Sequence, residues 1–144
     1  MIIKIILVST FSFMLLQGSE SKNALLKSSI KSEYIVKRAL EEDKIIIIEA
    51  ISTDCRHCVK MDKEVMTEKN IEQAIKKDFI MLFVNIDKEK LPFDLNVTMT
   101  PTFFFVFPNF KGSKVKTKRV PGAWSKEDFL DILRIAKRTQ KEKK

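Results

Sequence analysis

The sequence predicts a single α/β domain in which helices flank a mixed central sheet of about four strands. Runs of β-branched and aromatic residues, each of strand length, alternate with stretches whose apolar residues recur at helical spacing. The last two predicted strands follow one another across a short turn, which makes this pair antiparallel and the sheet mixed. The 144 residues suffice for one modest core, and the sequence contains no internal repeat that would indicate a second domain.

The first element of the domain is an amphipathic helix over residues 28–42, an extra helix in front of the first strand. This helix either packs on the domain or mediates dimerisation. The continuous β-branched run Ile45–Ile48 then predicts a central strand that is buried on both faces. The apolar residues of the helix recur at helical spacing and are Ile30, Tyr34, Ile35, Ala39 and Leu40.

Two helices and a second strand are predicted next. Residues 56–67 have helical periodicity, and Asn70 is a candidate cap for a short helix that runs to Lys77. The apolar run Phe79–Val84 predicts a second buried strand. Residues 88–97 are polar and irregular, which predicts a loop or a short helix.

The following segment predicts the last two strands. Thr102–Phe107 is aromatic and apolar throughout and predicts a third strand in the core. Residues 109–113 supply a turn, and Val115–Val120 alternates more strongly, as expected of an exposed fourth strand. The dipeptide Pro121-Gly122 ends that strand.

A capped helix and a basic tail complete the domain. Ser125, with Asp128 three residues later, is typical of a helix start. The apolar stripe that follows comprises Phe129, Leu130, Ile132, Leu133 and Ile135.

The amino-terminal 19 residues do not belong to the predicted domain. Lys4 precedes an apolar run of about a dozen residues, and small or polar residues follow at Gly18–Ser21. This order predicts a secretory signal peptide over residues 1–19 and a single domain over residues 20–144. A retained anchor is the alternative, because the cleavage sequence is poor. The protein is therefore expected to be periplasmic or otherwise exported, where thiols can pair, with no stable membrane insertion after cleavage.

The charge of the chain is strongly basic. The formal net charge is +8, and much of the excess lies in Lys111–Arg119 and Lys137–Lys144. A solvated basic surface explains this excess, and attraction to acidic partners or to an anionic membrane surface is the alternative. The export signal argues against a nucleic-acid partner.

Residues 55–58 read Cys-Arg-His-Cys and contain both cysteines and the one histidine of the chain. If a helix begins here, Cys55 faces the unpaired N–H groups of its first turn, which stabilise a thiolate, the reactive form of cysteine. Cys58 lies one turn further in, where it is expected to be more buried. Cys55 is therefore predicted to attack a partner's disulfide, and Cys58 to resolve the mixed disulfide.

Three neighbouring residues are predicted to tune this pair. Arg56 and a protonated His57 favour the Cys55 thiolate, which stabilises the reduced form and makes the pair a stronger oxidant. Asp54 has the opposite effect unless it caps the helix. The pair also admits two other interpretations, a static structural disulfide and half of a site for a soft metal. No metal is predicted, because zinc would need a fourth ligand and the chain has no other cysteine or histidine.

Residues 45–58, a strand followed by a C-x-x-C motif that opens a helix, resemble the thioredoxin fold. Glu49 stands where thioredoxin-like proteins have a buried carboxylate beneath the active site. Thr100-Pro101, just ahead of an apolar strand, resembles their cis-proline loop, which faces the cysteines. Residues 120–125, with Gly122, resemble the turn before their last helix.

The resemblance implies a protein thiol:disulfide oxidoreductase that needs no cofactor beyond its redox-active disulfide. Catalysis would depend on Cys55, Cys58 and Glu49, with Glu49 taking the proton from Cys58. Thr100 and Pro101 would pair with the backbone of a protein substrate. The alternatives are that Glu49 is a charged group escaping at a strand edge and that Pro101 is an ordinary trans proline in a turn.

Within this fold, the sequence is similar to the exported bacterial group. Residues 58–61 resemble the carboxy-terminal domain of DsbD and the DsbC-type isomerases, whereas His57 and Glu49 resemble DsbA. Asp54 and Arg56-His57 depart from the tryptophan and the Gly-Pro of thioredoxin. We expect a reductase or interchange protein that acts on protein thiols and disulfides, with a membrane electron-donor protein as a candidate partner. The alternatives are a DsbA-like oxidant, a non-catalytic copper(I)-delivery module and an adaptor for one dedicated protein.

Overall fold

A computed structural model describes residues 32–108 and 115–142 of the chain. The predicted signal peptide over residues 1–19 and the turn at residues 109–113 lie outside these ranges. The described strands are β1 (Ile45–Ile51), β2 (Phe79–Asn85), β3 (Thr102–Phe107) and β4 (Lys116–Pro121). The described helices are α1 (32–41), α2 (Arg56–Lys60), α3 (Lys69–Asp78) and α4 (Lys126–Lys141), and α2 continues directly into a π-helical turn over Met61–Val65.

The four strands form one mixed sheet in the order β2-β1-β3-β4. Strands β1 and β2 are parallel, whereas β3 is antiparallel to both β1 and β4. The parallel pair is joined by a crossover that contains α2 and α3, as a parallel connection requires. The prediction of a mixed α/β sheet with an extra helix ahead of β1 is confirmed.

Each face of the sheet contributes to its own apolar cluster, because alternate residues of a strand point to opposite faces. On the first face, Ile45 and Ile47 pack with residues of α3, α4 and the π-helical turn. On the second face, Ile46 and Ile48 pack with α1 and the segment at 91–97. The buried residues Ile35 and Ala39 belong to this second cluster, so α1 packs on the domain.

Strand β2 is less buried than its apolar sequence indicates. It forms an edge of the sheet, and its buried residues are interspersed with partly exposed ones. Phe83 is 51% exposed. The prediction of a second buried strand is therefore confirmed only for Phe79, Ile80 and Val84, because β1 and β3 occupy the two central positions.

One local prediction about a helix cap is also wrong. Asn70 does not cap α3, since the cap position is Glu68, whose side chain makes no capping hydrogen bond. The Glu68 N–H donates to the Val65 carbonyl (3.1 Å), so α3 begins immediately after the π-helical turn. Residues 88–97 form a loop, which is one of the two predicted alternatives, because Phe93 (φ 58°) and Asp94 (φ 53°) have left-handed backbone that a helix cannot continue through.

The turn and helix at the carboxyl-terminal side follow the prediction closely. Gly122 has φ 92° and ends β4, in a conformation that favours glycine. Ser125 caps α4, since its Oγ accepts a hydrogen bond from the Asp128 N–H (3.1 Å).

Within residues 32–108 and 115–142, no helix is both long and apolar enough to cross a membrane.

Candidate active site

Cys55 and Cys58 form a disulfide at the start of α2, with their Cα atoms 5.2 Å apart. Cys55 occupies the cap position of the helix, and its Sγ accepts a hydrogen bond from the Cys58 N–H (3.1 Å). The first turn of the helix thus directs a backbone donor at the Cys55 sulfur, the arrangement that stabilises a thiolate. The two residues are 9% and 7% exposed, so the expected difference in burial is very small in the disulfide form.

Glu49 is a carboxyl group in the core. It lies inside β1 rather than at the strand edge and is 1% exposed. Its Oε2 atom has no hydrogen-bond partner among residues 32–108 and 115–142. Burial, together with the negative charge of Asp62, raises the pKa of Glu49 to about 7. The group is therefore set to exchange a proton near neutral pH.

The loop that carries Thr100 and Pro101 lies beside the segment that leads to the cysteines. Ala50 of β1 pairs with Thr102 of β3, so the end of one strand and the start of the other meet at one edge of the sheet. Ser52 and Thr100 join their hydroxyl groups by a hydrogen bond (2.8 Å). The Thr100-Pro101 peptide bond is cis.

The predicted tuning residues are sequence neighbours of the two cysteines. Asp54, Arg56 and His57 are all exposed. Asp54 does not cap α2, because Cys55 holds that position. Charges that remain in water are screened, so each of the three acts on the sulfur atoms more weakly than a buried charge would.

The most specific comparison comes from protein-family models. A model for the thioredoxin-like domain matches residues 32–137. The chain belongs to this thioredoxin-like family. The match covers every strand and most of α4, and it contains both cysteines, Glu49 and the Thr100-Pro101 loop. No curated protein sequence matches the chain.

Solved thioredoxin-fold structures are similar to the domain at low sequence identity. A thioredoxin from Thermus thermophilus superposes with a TM-score of 0.60 at 22% identity, over 71% of this chain and 80% of that one. The reduced DsbD C-terminal domain of Neisseria meningitidis superposes with a TM-score of 0.54 at 16% sequence identity. The superposition covers 75% of this chain and 96% of that one. Trichomonas vaginalis thioredoxin superposes with a TM-score of 0.51 at 23% sequence identity, over 72% of this chain and 89% of that one. At these identities the likeness establishes the fold alone.

The thioredoxin-like domain also contains a polar cluster that the sequence did not reveal. Asp87, just beyond β2, accepts a hydrogen bond from the Thr53 N–H through its Oδ2 (2.7 Å). The Asn85 side-chain amide donates to the Thr53 hydroxyl (3.4 Å), and its Oδ1 accepts from the Asp87 N–H (3.0 Å). Hydrogen bonds from Thr53 hold the pKa of Asp87 below its ordinary value. This cluster fixes the loop that leads into Cys55.

The thioredoxin-like fold and the Cys55–Cys58 disulfide together indicate a thiol oxidoreductase at a general level. A C-x-x-C disulfide opens a helix, and a buried carboxyl group lies in the strand that leads to it. The arrangement supports thiol-disulfide oxidoreductase chemistry on protein thiols. Among the described residues, no group of three or more His, Cys, Asp or Glu side chains is arranged to hold a metal ion.

Proposed function

We propose that this protein is an exported thiol:disulfide oxidoreductase that reduces or rearranges disulfides in protein substrates. The observation that carries the proposal is the Cys55–Cys58 disulfide, located where a helix begins and preceded in the chain by the buried Glu49. The structure corresponds to the oxidised form, which a reductase reaches after its two electrons have passed to the substrate.

In the reducing direction, the reaction begins with the reduced pair. The Cys55 thiolate attacks one sulfur of the substrate disulfide, forms a mixed disulfide and releases the first substrate thiolate. The Cys58 thiolate then attacks the Cys55 sulfur, which breaks the mixed disulfide and releases the second substrate thiolate. The Cys55–Cys58 disulfide forms, and the substrate has gained two electrons.

Glu49 is proposed to take the proton from Cys58 before the second step. A base of this kind must be able to hold a proton and to release it at the working pH. Burial raises the pKa of Glu49 to about 7, so both of its forms are populated near neutrality. Oε2, which has no hydrogen-bond partner within the described residues, is available for the proton.

Thr100 and Pro101 are proposed to hold the substrate chain next to the disulfide. The Ser52–Thr100 hydrogen bond ties their loop to the segment that precedes Cys55. Met99, immediately before Thr100, is exposed, which gives an incoming peptide an apolar contact. Backbone pairing along this loop would bind many sequences, as expected of an enzyme with varied substrates.

The reducing or interchange direction is favoured over the oxidising one. Arg56 and His57 would raise the oxidising power of the pair by stabilising its thiolate, but both are exposed and therefore screened. Asp54, which is exposed beside them, opposes their effect. Electrons would come from a membrane donor protein that reduces the Cys55–Cys58 disulfide after each cycle.

Insulin reduction and the reduction potential test this activity. We expect the wild-type chain to catalyse insulin reduction, the Cys55→Ser variant to be inactive, and the Cys58→Ser variant to accumulate mixed disulfides. A reduction potential near −270 mV supports a reductase, whereas one near −120 mV contradicts it and favours an oxidant. Tight copper(I) binding without disulfide exchange, unaffected by Glu49→Gln, would overturn the oxidoreductase assignment.

Export is tested separately in the cell that makes the protein. Fractionation should place the chain outside the cytosol, with a new amino terminus near residue 20. Capture with Cys58→Ser should then yield several substrate proteins and one membrane protein. A cytosolic protein with an intact amino terminus would contradict the export proposal and leave the enzymatic one to be judged on the insulin assay.

A further inference from the structure

Glu49 is one of three neighbours that lie across the sheet in register. In β2 its partner is Phe83, and in β3 its partner is Phe103. Side chains in register on adjacent strands point to the same face of a sheet. The carboxyl group therefore lies in a row between two phenylalanine rings.

The two rings differ in what lies behind them. Phe103 is fully buried, and β4 covers the far side of its strand. Phe83 is 51% exposed and lies on an edge strand with no described strand beyond it. Phe83 is therefore the register neighbour that lies between the core position of Glu49 and this edge of the described sheet.

The surroundings of Glu49 contain no compensating charge among the described residues. Glu49 makes no ion pair within residues 32–108 and 115–142, and its Oε2 has no hydrogen-bond partner. The negative charge of Asp62, in the π-helical turn, acts on it, and its effect is repulsive. Exclusion of water, rather than pairing, therefore governs how readily this carboxyl group ionises.

We propose that Phe83 is a positioning residue that shields Glu49 from solvent at the sheet edge and thereby sets the pH range in which this carboxyl group exchanges its proton. The ring excludes water from the carboxyl group at this edge of the sheet. The shielding follows from the fold alone, whereas its use in the reaction rests on the proposed oxidoreductase function. An edge phenylalanine that merely stabilised β2 would alter the free energy of unfolding and leave the titration of Glu49 unchanged.

The test is a carbon-13 NMR titration of the Glu49 carboxyl group in the full, oxidised chain, with Glu49→Gln to assign the signal. We expect a midpoint at about 7 in the wild type. Phe83→Ala should lower the midpoint by about one pH unit by admitting water, and Phe83→Lys should lower it further because it adds a cation across the strand pair. Leu40→Ala is the matched control. It truncates a side chain of similar exposure on α1, which packs on the opposite face, and it should leave the midpoint unchanged.

The variants also keep the test decisive if one of them fails to fold. Phe83→Leu retains an apolar side chain on the edge strand, and its midpoint should fall between those of the wild type and Phe83→Lys. Midpoints within about 0.3 pH units of the wild type in both the leucine and the lysine variants would overturn the proposal. A fall of the same size in Leu40→Ala would also overturn it, because the effect would then not be local.

The rate of insulin reduction as a function of pH separates the two proposals. If Phe83 acts through Glu49, the variants should move the midpoint of the rate profile in the same direction as the carboxyl titration. A wild-type chain without insulin activity refutes the oxidoreductase, while the NMR titration still decides the shielding. If the chain is active but the Phe83 variants leave the Glu49 titration midpoint unchanged, the shielding proposal is refuted and the oxidoreductase proposal stands.

Discussion

Replacement of Glu49 by glutamine should make the protein more stable at neutral and alkaline pH. The pKa of Glu49 is raised from its ordinary value of 4.5 to about 7 in the folded protein. Between these values the folded state binds more protons than the unfolded state, so the free energy of unfolding falls as the pH rises. Below 4.5 the carboxyl group is neutral in both states, and the penalty is absent.

The magnitude follows from the difference between the two pKa values. A difference of about 2.5 pH units at 1.36 kcal/mol per unit amounts to about 3 kcal/mol, which the wild type loses by the time the pH exceeds 7. Glutamine has nearly the size of the protonated acid and does not ionise. The stability of the variant relative to the wild type should therefore rise by about 3 kcal/mol between pH 4 and pH 8.

The assay is denaturant unfolding of the oxidised protein at a series of pH values, without reductant so that the disulfide stays intact. Glu64→Gln, which removes an exposed carboxylate from the π-helical turn, controls for the change in net charge. Its pH dependence should follow that of the wild type. Parallel stability curves for the wild type and Glu49→Gln across this pH range would refute the assignment of a strained, ionisable carboxyl group to the core.

Three further predictions concern the support of the site and the core. Asp87→Ala should speed amide hydrogen exchange at Thr53 roughly fivefold, because the acceptor of that N–H is lost. Asp87→Asn should keep most of the protection. Equal exchange rates in the wild type and the alanine variant would contradict this prediction. Phe105→Ala should lower the free energy of unfolding, measured with denaturant, by about 3–5 kcal/mol, since the ring is fully buried in a central strand. A loss below about 1 kcal/mol would contradict its core position. Gly122→Ala should lower the free energy of unfolding by about 1–2 kcal/mol through backbone strain alone, because φ is 92° and no described atom lies within 4 Å of the new methyl group. An unchanged free energy of unfolding would show that the turn relaxes.

The central strands and the last helix could be predicted because their local signals agree with their environment. Ile45–Ile48 and Thr102–Phe107 are continuous apolar runs, and both occupy central positions that are covered on two faces. Ser125 and Asp128 form the predicted cap at the start of α4. Sequence, local structure and packing point to the same answer in these segments.

The exposure of β2 could not be read from its residues. Its run of apolar side chains has the composition of a central strand, but strand order depends on long-range pairing that no local pattern encodes. This exposure bears on the proposed shielding, because the exposed member of this strand, Phe83, is the register partner of Glu49.

The support of the site was also invisible in the sequence. Asp87 and Thr53 are 34 positions apart, and they meet because β1 and β2 pair in parallel and end at the same edge. An aspartate after a strand is common in loops and by itself indicates only a turn. By contrast, the cysteine pair and Glu49 were identified from a local motif and a resemblance, which require no knowledge of register.

The sequence separation of the two cysteines determines how much the architecture depends on their redox state. Their disulfide joins residues only three positions apart. Closing so short a loop removes little freedom from the unfolded chain, about 2 kcal/mol by the loop-entropy relation, compared with about 3 kcal/mol for a 15-residue loop. Most of the folding free energy must then come from the two apolar clusters on either side of the sheet, which no electron transfer disturbs. Both redox states of the pair should therefore keep the same fold, and a reducing buffer that would unfold a protein held together by its disulfides should leave this one folded.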